Sequence, residues 1–417
     1  MELRRVVITG LGALTPVGNS VNQYWENLIK GVSGSGPITR FDPQKFRTRF
    51  ACEVKNFDIN QYVEVKEARK MDLFAQFAIA TASEAMEDAK IDVSEVDLQR
   101  CGVVWGTGIG GFTTCAQEME IFSTGDGTPR FNPFFIPKII GDIAAGHLSM
   151  RFGFLGPNYV TTSACASSAN AISDAFNLIR LHKADIIITG GSEAPINVAG
   201  VGGFNSMQAL STRNEDPQTA SRPFDKGRDG FVVGEGSAAL ILEDLEHALQ
   251  RGAKIYAEIV GTGLSADAYH LVAPHPEGKG ARQAMHAALT DAGMSPNEID
   301  HINTHGTSTS LGDIAEIKAI SSLFGEHTYQ MHINSIKSMV GHLLGAAAAV
   351  ESVATVLTVY NDIIPPTINH FEDDDAFDKR INFTFNKAAK RTVNAAISNA
   401  FGFGGHNTSL LFKKFKA

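Results

Sequence analysis

The stretch from Thr161 to Gly191 reads TTSACASSANAISDAFNLIRLHKADIIITGG, and its pattern indicates the fold class. Small and polar residues form a turn that leads into a run rich in Ala and Ser over 166–181. Such a run favours a buried helix that packs closely against its neighbours. The apolar segment ADIIITGG from Ala184 then predicts a buried strand that ends in glycines. This order of elements indicates an α/β protein.

The same order recurs in the second half of the chain. Asn334–Lys337 leads into a predicted small-residue helix over Gly341–Val359, and the strand and glycines AAISNAFGFGG follow from Ala395. We infer two similar α/β halves, residues 1–250 and 251–417, that pack together. The alternative is that the likeness only reflects the alternation of helices and strands in any α/β protein. The other clear elements are predicted helices at Met71–Lys90 and Ala281–Ala292 and predicted strands at Arg5–Thr9, Gly102–Trp105, Ala238–Leu242, Ala257–Val260 and Ser409–Phe412.

Composition narrows the class of protein. The chain has 417 residues, 43% of them hydrophobic, which is ample for a large core. A net charge of −9 argues against nucleic-acid binding. Four cysteines without a CxxC pair indicate a reducing compartment rather than a disulfide framework. The N-terminus lacks the pattern of a signal peptide, and no apolar run reaches the roughly 18 residues of a membrane span. We therefore expect a soluble, cytoplasmic protein that does not bind a membrane.

Cys165 stands at the start of the predicted small-residue helix. A thiol there lies near the positive end of the helix dipole, which lowers its pKa and favours a reactive thiolate. The neighbouring backbone N–H groups can also hold an oxyanion. The alternative is a buried, inert cysteine, which is common in proteins.

Three further motifs carry polar groups in unusual settings. His305 lies among small polar residues in NTHGTSTSLGD, which leaves room for a ligand; the alternative is a structural histidine. Lys337 and His342 precede a helix of very small side chains, where they need polar partners or a site to serve. The alternative there is a solvated helix start. Phe401 and Phe403 alternate with glycines in SNAFGFGGHN, which suits a gate or, alternatively, a hairpin that fills the core.

Two other patterns are rejected. Gly106-x-Gly108-x-x-Gly111 matches the dinucleotide fingerprint, but the acidic residue expected about 20 positions later falls on Asp126 in a glycine-rich loop. The 13 histidines have neither HExxH nor Cys/His zinc spacing. We expect no organic cofactor and no catalytic metal.

Taken together, the motifs resemble the β-ketoacyl-acyl-carrier-protein synthases nearly from end to end. Several segments are characteristic of the elongating members: VVITGLGALTPVG, KMDLFAQFA, NPFFIPK and GGFNSMQALSTRNEDPQTASRPFDKGRDGFVVGEG. The resemblance implies the thiolase fold, in which two duplicated halves form a five-layer αβαβα sandwich, usually as a homodimer. It also implies an acyltransferase of fatty acid biosynthesis, which condenses malonyl-acyl carrier protein with an enzyme-bound acyl group and releases CO₂.

The resemblance assigns roles to the residues. Cys165 takes the acyl group from acyl carrier protein, while His305 and His342 bind the malonyl thioester carbonyl and assist decarboxylation. Lys337 supports the histidines with Glu316 as its partner. The implied oxyanion hole is formed by the N–H groups of Cys165 and Phe403, the phosphopantetheine arm is held by Thr307 and Thr309, the acyl pocket is bordered by Ile109 and Phe134, and a Na⁺ or K⁺ ion lies near Asn303, Glu351 and Asn399.

Two further predictions concern Phe403 and a group of basic residues. Phe403 lies between Gly402 and Gly404, so we expect its ring to gate the site rather than only to pack in the core. Acyl carrier proteins are acidic, so docking on a protein of net charge −9 needs a local basic patch. The predicted patch, whose alternative is a solvated helix face, consists of Lys66, Arg69, Lys70 and Arg130.

Alternative functions differ in the catalytic set. A polyketide or specialised-lipid ketosynthase resembles the same Cys-His-His set, whereas a catalytically silent chain-length partner usually lacks the nucleophile. Biosynthetic thiolases resemble a Cys-His-Cys set, which His342 does not match. Two departures from the family pattern are Val272, where Thr is common, and His406, where FGFGGTN is the commoner text.

Overall fold

A computed structural model describes residues 2–416 of the chain. The strands are β1 (Val6–Leu14), β2 (Gly36–Pro37), β3 (Phe50–Ala51), β4 (Cys101–Gly106), β5 (Asn158–Thr161), β6 (Ile186–Glu193), β7 (Gly236–Asp244), β8 (Ala257–Ala266), β9 (His301–Asn303), β10 (His332–Asn334), β11 (Ile363–Ile364), β12 (Ala389–Lys390), β13 (Ala395–Gly402) and β14 (His406–Lys413). The α-helices are α1 (Val21–Lys30), α2 (Val65–Ala68), α3 (Leu73–Ala89), α4 (Phe112–Thr124), α5 (Phe135–Ile139), α6 (Ile143–Phe152), α7 (Ser167–Arg180), α8 (Val198–Ser206), α9 (Leu245–Gln250), α10 (Lys279–Ala292), α11 (Ser310–Phe324), α12 (Lys337–Val340) and α13 (Ala347–Asn361).

The main sheet consists of two halves that have the same strand order. Its first half runs β5-β4-β6-β7-β1, and its second half runs β10-β9-β13-β14-β8. If the five strands of each half are numbered in chain order, their order across the sheet is 3-2-4-5-1 in both halves. Strand directions also match, because β4 and β9 each pair in parallel with two neighbours while the last pairings of each half are antiparallel. A short antiparallel pairing of β1 with β8 joins the halves.

Helices cover both faces of each half-sheet. Helices α3 and α6 pack on the outer face of the first half, and α10 and α11 cover the outer side of the second. Helices α7 and α13 lie between the half-sheets and contact strands of both, and they also contact each other. This arrangement is the five-layer thiolase fold, so the predicted fold class is confirmed. The division at residues 250 and 251 stays a prediction.

A Gly-x-Gly pair on the first strand of each half brings a helix unusually close. A methyl group at Gly12 of β1 would lie 1.9 Å from the backbone oxygen of Thr81 in α3. The equivalent methyl group at Gly263 of β8 would lie 2.0 Å from the backbone oxygen of Ala284 in α10. Gly10 and Gly261 make similar approaches. The duplication thus extends to individual residues, although no sequence motif indicated it.

The predicted helix from Gly341 is wrong at its start. Helix α12 ends at Val340, and Gly341 and Leu344 take left-handed backbone conformations with φ of 72° and 48°. An α-helix cannot continue through such residues, so the long helix begins only at Ala347. The segment between the two helices, 341–346, holds His342. The apolar stretch Leu344–Asn361 is long enough to cross a membrane, but 89% of it is buried inside the protein, as in a core helix.

We expect Gly12→Ala and Gly263→Ala each to destabilise the protein by about 3 kcal/mol or more, because a Cβ has no room beside a backbone carbonyl. Urea unfolding would measure the change. Gly203→Ala in α8 is the matched control, since its Cβ would meet nothing within 4 Å. Alanine favours helix there, and a gain of about 0.5–1 kcal/mol is expected. Wild-type stability in both β-strand variants would contradict the close approach.

Candidate active site

Cys165 lies just before α7, at the wall of a cavity of about 500 Å³. The preceding Ala164 has φ of 51°, an uncommon conformation for a residue with a Cβ, and it turns the chain sharply into the helix. The thiol is buried except toward this cavity. Predicted site residues that line the same cavity are Ile109, His305, Thr307, Thr309, Glu316, His342 and Phe403.

His342 contacts the thiol directly. Its Nε2 lies 3.1 Å from Sγ of Cys165. The backbone fixes this ring, because the N–H of His342 donates to Val232 and its carbonyl accepts from Gly234. The break between α12 and α13 therefore aims the imidazole at the thiol of Cys165 instead of burying it along a helix.

His305 follows β9 and faces His342 edge-on, with ring centroids 5.2 Å apart. Its loop is held by Glu316, which accepts the N–H groups of His305 and Gly306 at 2.9 and 2.8 Å. Asn399 donates to the same carboxylate at 3.1 Å. One reactive atom from each of Cys165, His305 and His342 lies within 4.8 Å of the others. Sequence motifs far apart in the chain thus meet at one point.

The predicted partner of Lys337 is wrong. Its ammonium forms a buried ion pair with Glu351 of α13, and Glu316 instead holds the His305 loop. Lys337 Nζ also lies 3.5 Å from Nδ1 of His305. A signal for Glu351 was present in the sequence, since it is the single charge in the apolar run AAAAVESVATVL. A buried charge in such a run requires a partner of opposite charge.

Burial sets the charge state of the reactive groups. It raises the pKa of the Cys165 thiol to about 12, although Lys337 and the backbone N–H of Phe403 oppose the rise. Burial, followed by the positive charge of Lys337, lowers the pKa of His305 and of His342 well below the usual value. All three groups are therefore uncharged at neutral pH. Desolvation therefore opposes the lowering of the thiol pKa that a helix start favours.

Phe403 lies in the loop between β13 and β14, close to Cys165. Gly404 and Gly405 have φ of 86° and 76°, conformations that favour glycine. The N–H of Gly404 donates to the carbonyl of Leu271, which links this loop to the one after β8. The second loop contains Val272, which lines the cavity, whereas His406 at the start of β14 is exposed. The gating role of Phe403 stays a prediction.

The remaining predicted residues fall in different places. Thr307 and Thr309 share a hydroxyl hydrogen bond of 2.9 Å at the cavity wall. Phe134 does not line the cavity within the single chain described over 2–416; it lies exposed beside α5, with Lys70 Nζ 5.7 Å from its ring centroid. The basic residues Lys66, Arg69 and Arg130 are exposed as well.

Comparisons with known proteins give matches along most of the chain. The family model "Beta-ketoacyl synthase, N-terminal domain" matches residues 3–248, and "Beta-ketoacyl synthase, C-terminal domain" matches 256–371. A 3-oxoacyl-[acyl-carrier-protein] synthase 2 of Synechocystis sp. is 47% identical over 100% of this chain and 99% of its own length.

Solved structures are similar throughout the fold. A β-ketoacyl synthase from Burkholderia phymatum STM815 has a TM-score of 0.91 and 33% identity, covering 99% of this chain and all of its own. A type II polyketide acyl carrier protein complex with its ketosynthase bound to the hexaketide gives a TM-score of 0.87 and 32% identity, with coverages of 99% and 100%.

Lys337→Met should lower the free energy of unfolding by about 3–5 kcal/mol, because it leaves the Glu351 carboxylate buried without the ammonium group that pairs with it. The double variant Lys337→Met/Glu351→Gln removes both charges and should recover most of this loss. Urea unfolding of wild type, both single variants and the double variant measures the coupling between the two residues. Additive losses in the double variant would contradict a coupled pair.

Proposed function

The chain belongs to the β-ketoacyl synthase family and is a condensing enzyme of fatty acid elongation, and we propose that Cys165, His305 and His342 carry its chemistry. The observation that supports these roles is the meeting of the three reactive atoms within 4.8 Å at the wall of one cavity. A thiol next to two neutral imidazoles provides a nucleophile, an acceptor for its proton and hydrogen-bond donors for a thioester oxygen.

In the first half-reaction, Sγ of Cys165 attacks the thioester carbonyl of an acyl chain carried on phosphopantetheine. The resting thiol passes its proton toward Nε2 of His342, 3.1 Å away, as the new carbon–sulfur bond forms. The pantetheine thiol leaves with a proton. The N–H groups of Cys165 and Phe403 stabilise the oxyanion. Because burial raises the pKa of the Cys165 thiol, the attack needs His342 to accept the thiol proton.

In the second half-reaction, the malonyl carbon–carbon bond to CO₂ breaks and an enolate forms. Because Lys337 donates toward Nδ1 of His305, the proton of this neutral ring lies on Nε2. An N–H there can donate to the thioester oxygen as negative charge develops on it. The enolate then attacks the Cys165 thioester, a carbon–carbon bond forms, and the Cys165 sulfur leaves and regains its proton.

The alternative functions fit less well. A silent chain-length partner would not need a nucleophile, yet Cys165 and both histidines are assembled. A polyketide ketosynthase uses a similar set, but the polyketide structure reported above is 32% identical, whereas the fatty acid relative is 47% identical. Elongation of fatty acyl chains is therefore the function we favour.

A homodimer is supported by one uncovered edge of the main sheet. Strand β5 ends the sheet, and an unpaired edge strand is normally covered. Large apolar side chains are exposed at this edge: Tyr159 on β5, Leu155 just before it, and Met150 on α6, which contacts β5. A patch of this kind marks a protein interface.

Acyl carrier protein is the proposed partner, and the exposed basic residues near Phe134 are its proposed docking surface. Lys66 and Arg69 are exposed at α2, while Lys70 forms an i,i+3 ion pair with Glu67 at 2.6 Å. Arg130 lies 3.9 Å from Asp126. Such exposed pairs contribute little to stability, so these cations are available to an acidic partner.

A monovalent cation fits part of its predicted ligand set. Both side-chain polar atoms of Asn303, and Oε2 of Glu351, are buried without a protein hydrogen-bond partner among the described residues. The Asn399 side chain does not fit, because its amide donates to Glu316 and accepts from Ser409. We propose Asn303 and Glu351 as ligands, where Na⁺ or K⁺ would supply compensating positive charge. A cytoplasmic location is supported by the four cysteines, all of which are free.

His305→Ala should abolish condensation while Cys165 still accepts an acyl group, because acyl transfer uses His342 and the oxyanion hole. Cys165→Ala should lose both acyl transfer and condensation. Mass spectrometry of the enzyme after incubation with acyl carrier protein measures the acyl adduct, and release of CO₂ from malonyl carrier protein measures decarboxylation. An undiminished condensation rate in His305→Ala, or a wild-type adduct yield in Cys165→Ala, would refute the assigned role.

Lys66→Glu/Lys70→Glu should raise the KM for acyl carrier protein and weaken the salt dependence of KM, because charge attraction is removed. Steady-state kinetics at low and high salt provide the measurement. Lys30→Glu/Lys183→Glu, two exposed lysines outside the patch, is the matched control. An unchanged KM at low salt would place docking elsewhere.

A further inference from the structure

Glu193, the last residue of β6, is a fully buried carboxylate beside the active-site cavity. It accepts backbone N–H groups from Gly108 at 2.7 Å, Ile109 at 3.2 Å and Gly345 at 3.0 Å. The hydroxyl of Thr107 donates to it at 3.1 Å. None of these donors carries a charge, so the carboxylate is held by oriented dipoles alone. The proposed roles of Cys165, His305 and His342 do not involve Glu193.

The donors belong to two segments that meet in front of Glu193. One segment, 107–109, carries Ile109 into the cavity next to Cys165. The other, 341–346, carries His342. The segments touch through their backbones, since a methyl group at Gly345 would lie 2.2 Å from the nitrogen of Gly108 and 2.6 Å from Oε2 of Glu193. A single carboxylate therefore fixes the distance between the pocket wall and the segment that carries His342.

The chain uses the same arrangement elsewhere in the site. Glu316 accepts two consecutive N–H groups and thereby holds the loop of His305. Glu193 likewise accepts the consecutive N–H groups of Gly108 and Ile109. An ionised carboxylate has two acceptor oxygens and can satisfy four donors, whereas an amide has one oxygen and places its own N–H groups against them.

We propose that Glu193 is a positioning residue that sets the acyl pocket beside Cys165 and so determines the acyl chain-length preference of the enzyme. This inference rests on the proposed function, because the pocket matters only when Cys165 accepts acyl chains. Without the carboxylate, segment 107–109 loses its fixed place against Gly345, and the side chain of Ile109 shifts at the pocket wall.

The test compares Glu193→Gln with wild type for a series of acyl carrier proteins that bear short to long acyl chains. The readouts are the rate of Cys165 acylation, KM and kcat for each chain length. Glu84→Gln is the matched control: Glu84 also accepts two backbone N–H groups, from Ala13 and Val21, and burial raises the pKa of both carboxyls to about 7. Glu84 does not line the cavity.

We expect Glu193→Gln to change the ratio of kcat/KM between long and short acyl chains by about tenfold, chiefly through KM. Glu84→Gln should leave this ratio unchanged even if it lowers the melting temperature. Thr107→Val, which removes one hydroxyl donor and keeps the carboxylate, should shift the ratio in the same direction by a smaller factor.

A merely structural role gives a different result. If Glu193→Gln lowers stability and total activity but leaves the chain-length ratio at the wild-type value, the proposal is overturned. If Glu193→Gln does not fold, Thr107→Val decides, and an unchanged ratio in it overturns the proposal too. Failure of wild-type Cys165 to take up any acyl chain would instead refute the proposed function.

Discussion

The starts of two helices, α7 and α13, press against each other at the centre of the molecule, and the active site depends on this contact. The hydroxyl of Ser168 in α7 accepts the N–H of Ala349 in the first turn of α13 at 2.9 Å. Gly191 of β6 lies beside this contact: a methyl group there would lie 2.6 Å from Cβ of Ser168 and 3.2 Å from the carbonyl of Gly345. Only small residues permit this approach, which brings Cys165 to His342. The Ala-rich composition of both helices is thus a condition for assembling this site.

The sequence predicts the fold better than it predicts the environment of the site. Strands such as β6 and β13 were foreseen because their apolar runs end in glycines, whereas β9 and β10 have three residues each and leave no periodic pattern. The motifs identified the reactive residues correctly as neighbours in space. They could not identify the partner of Lys337, because the choice between Glu316 and Glu351 depends on how α11 and α13 pack.

Burial, like the packing of α11 and α13, is a property that the local sequence does not reveal. A cysteine at a helix start predicts a lowered pKa, but the structure surrounds Cys165 with the apolar interior of two half-sheets, and this burial raises the pKa of its thiol. The histidines respond to the same surroundings and become neutral. A site of uncharged groups suits a reaction in which negative charge appears only transiently on substrate oxygens. Water exclusion strengthens each hydrogen bond that meets this charge.

Equivalent positions of the two halves carry different side chains. Cys165 precedes the inner helix of the first half, and His342 precedes the inner helix of the second. In a symmetric pair of identical halves, both positions would carry the same side chain, and a thiol would face a thiol or an imidazole would face an imidazole. Neither arrangement places an imidazole beside a thiol. Covalent fusion of the halves removes that symmetry constraint, because each copy of the junction can then mutate independently and specialise.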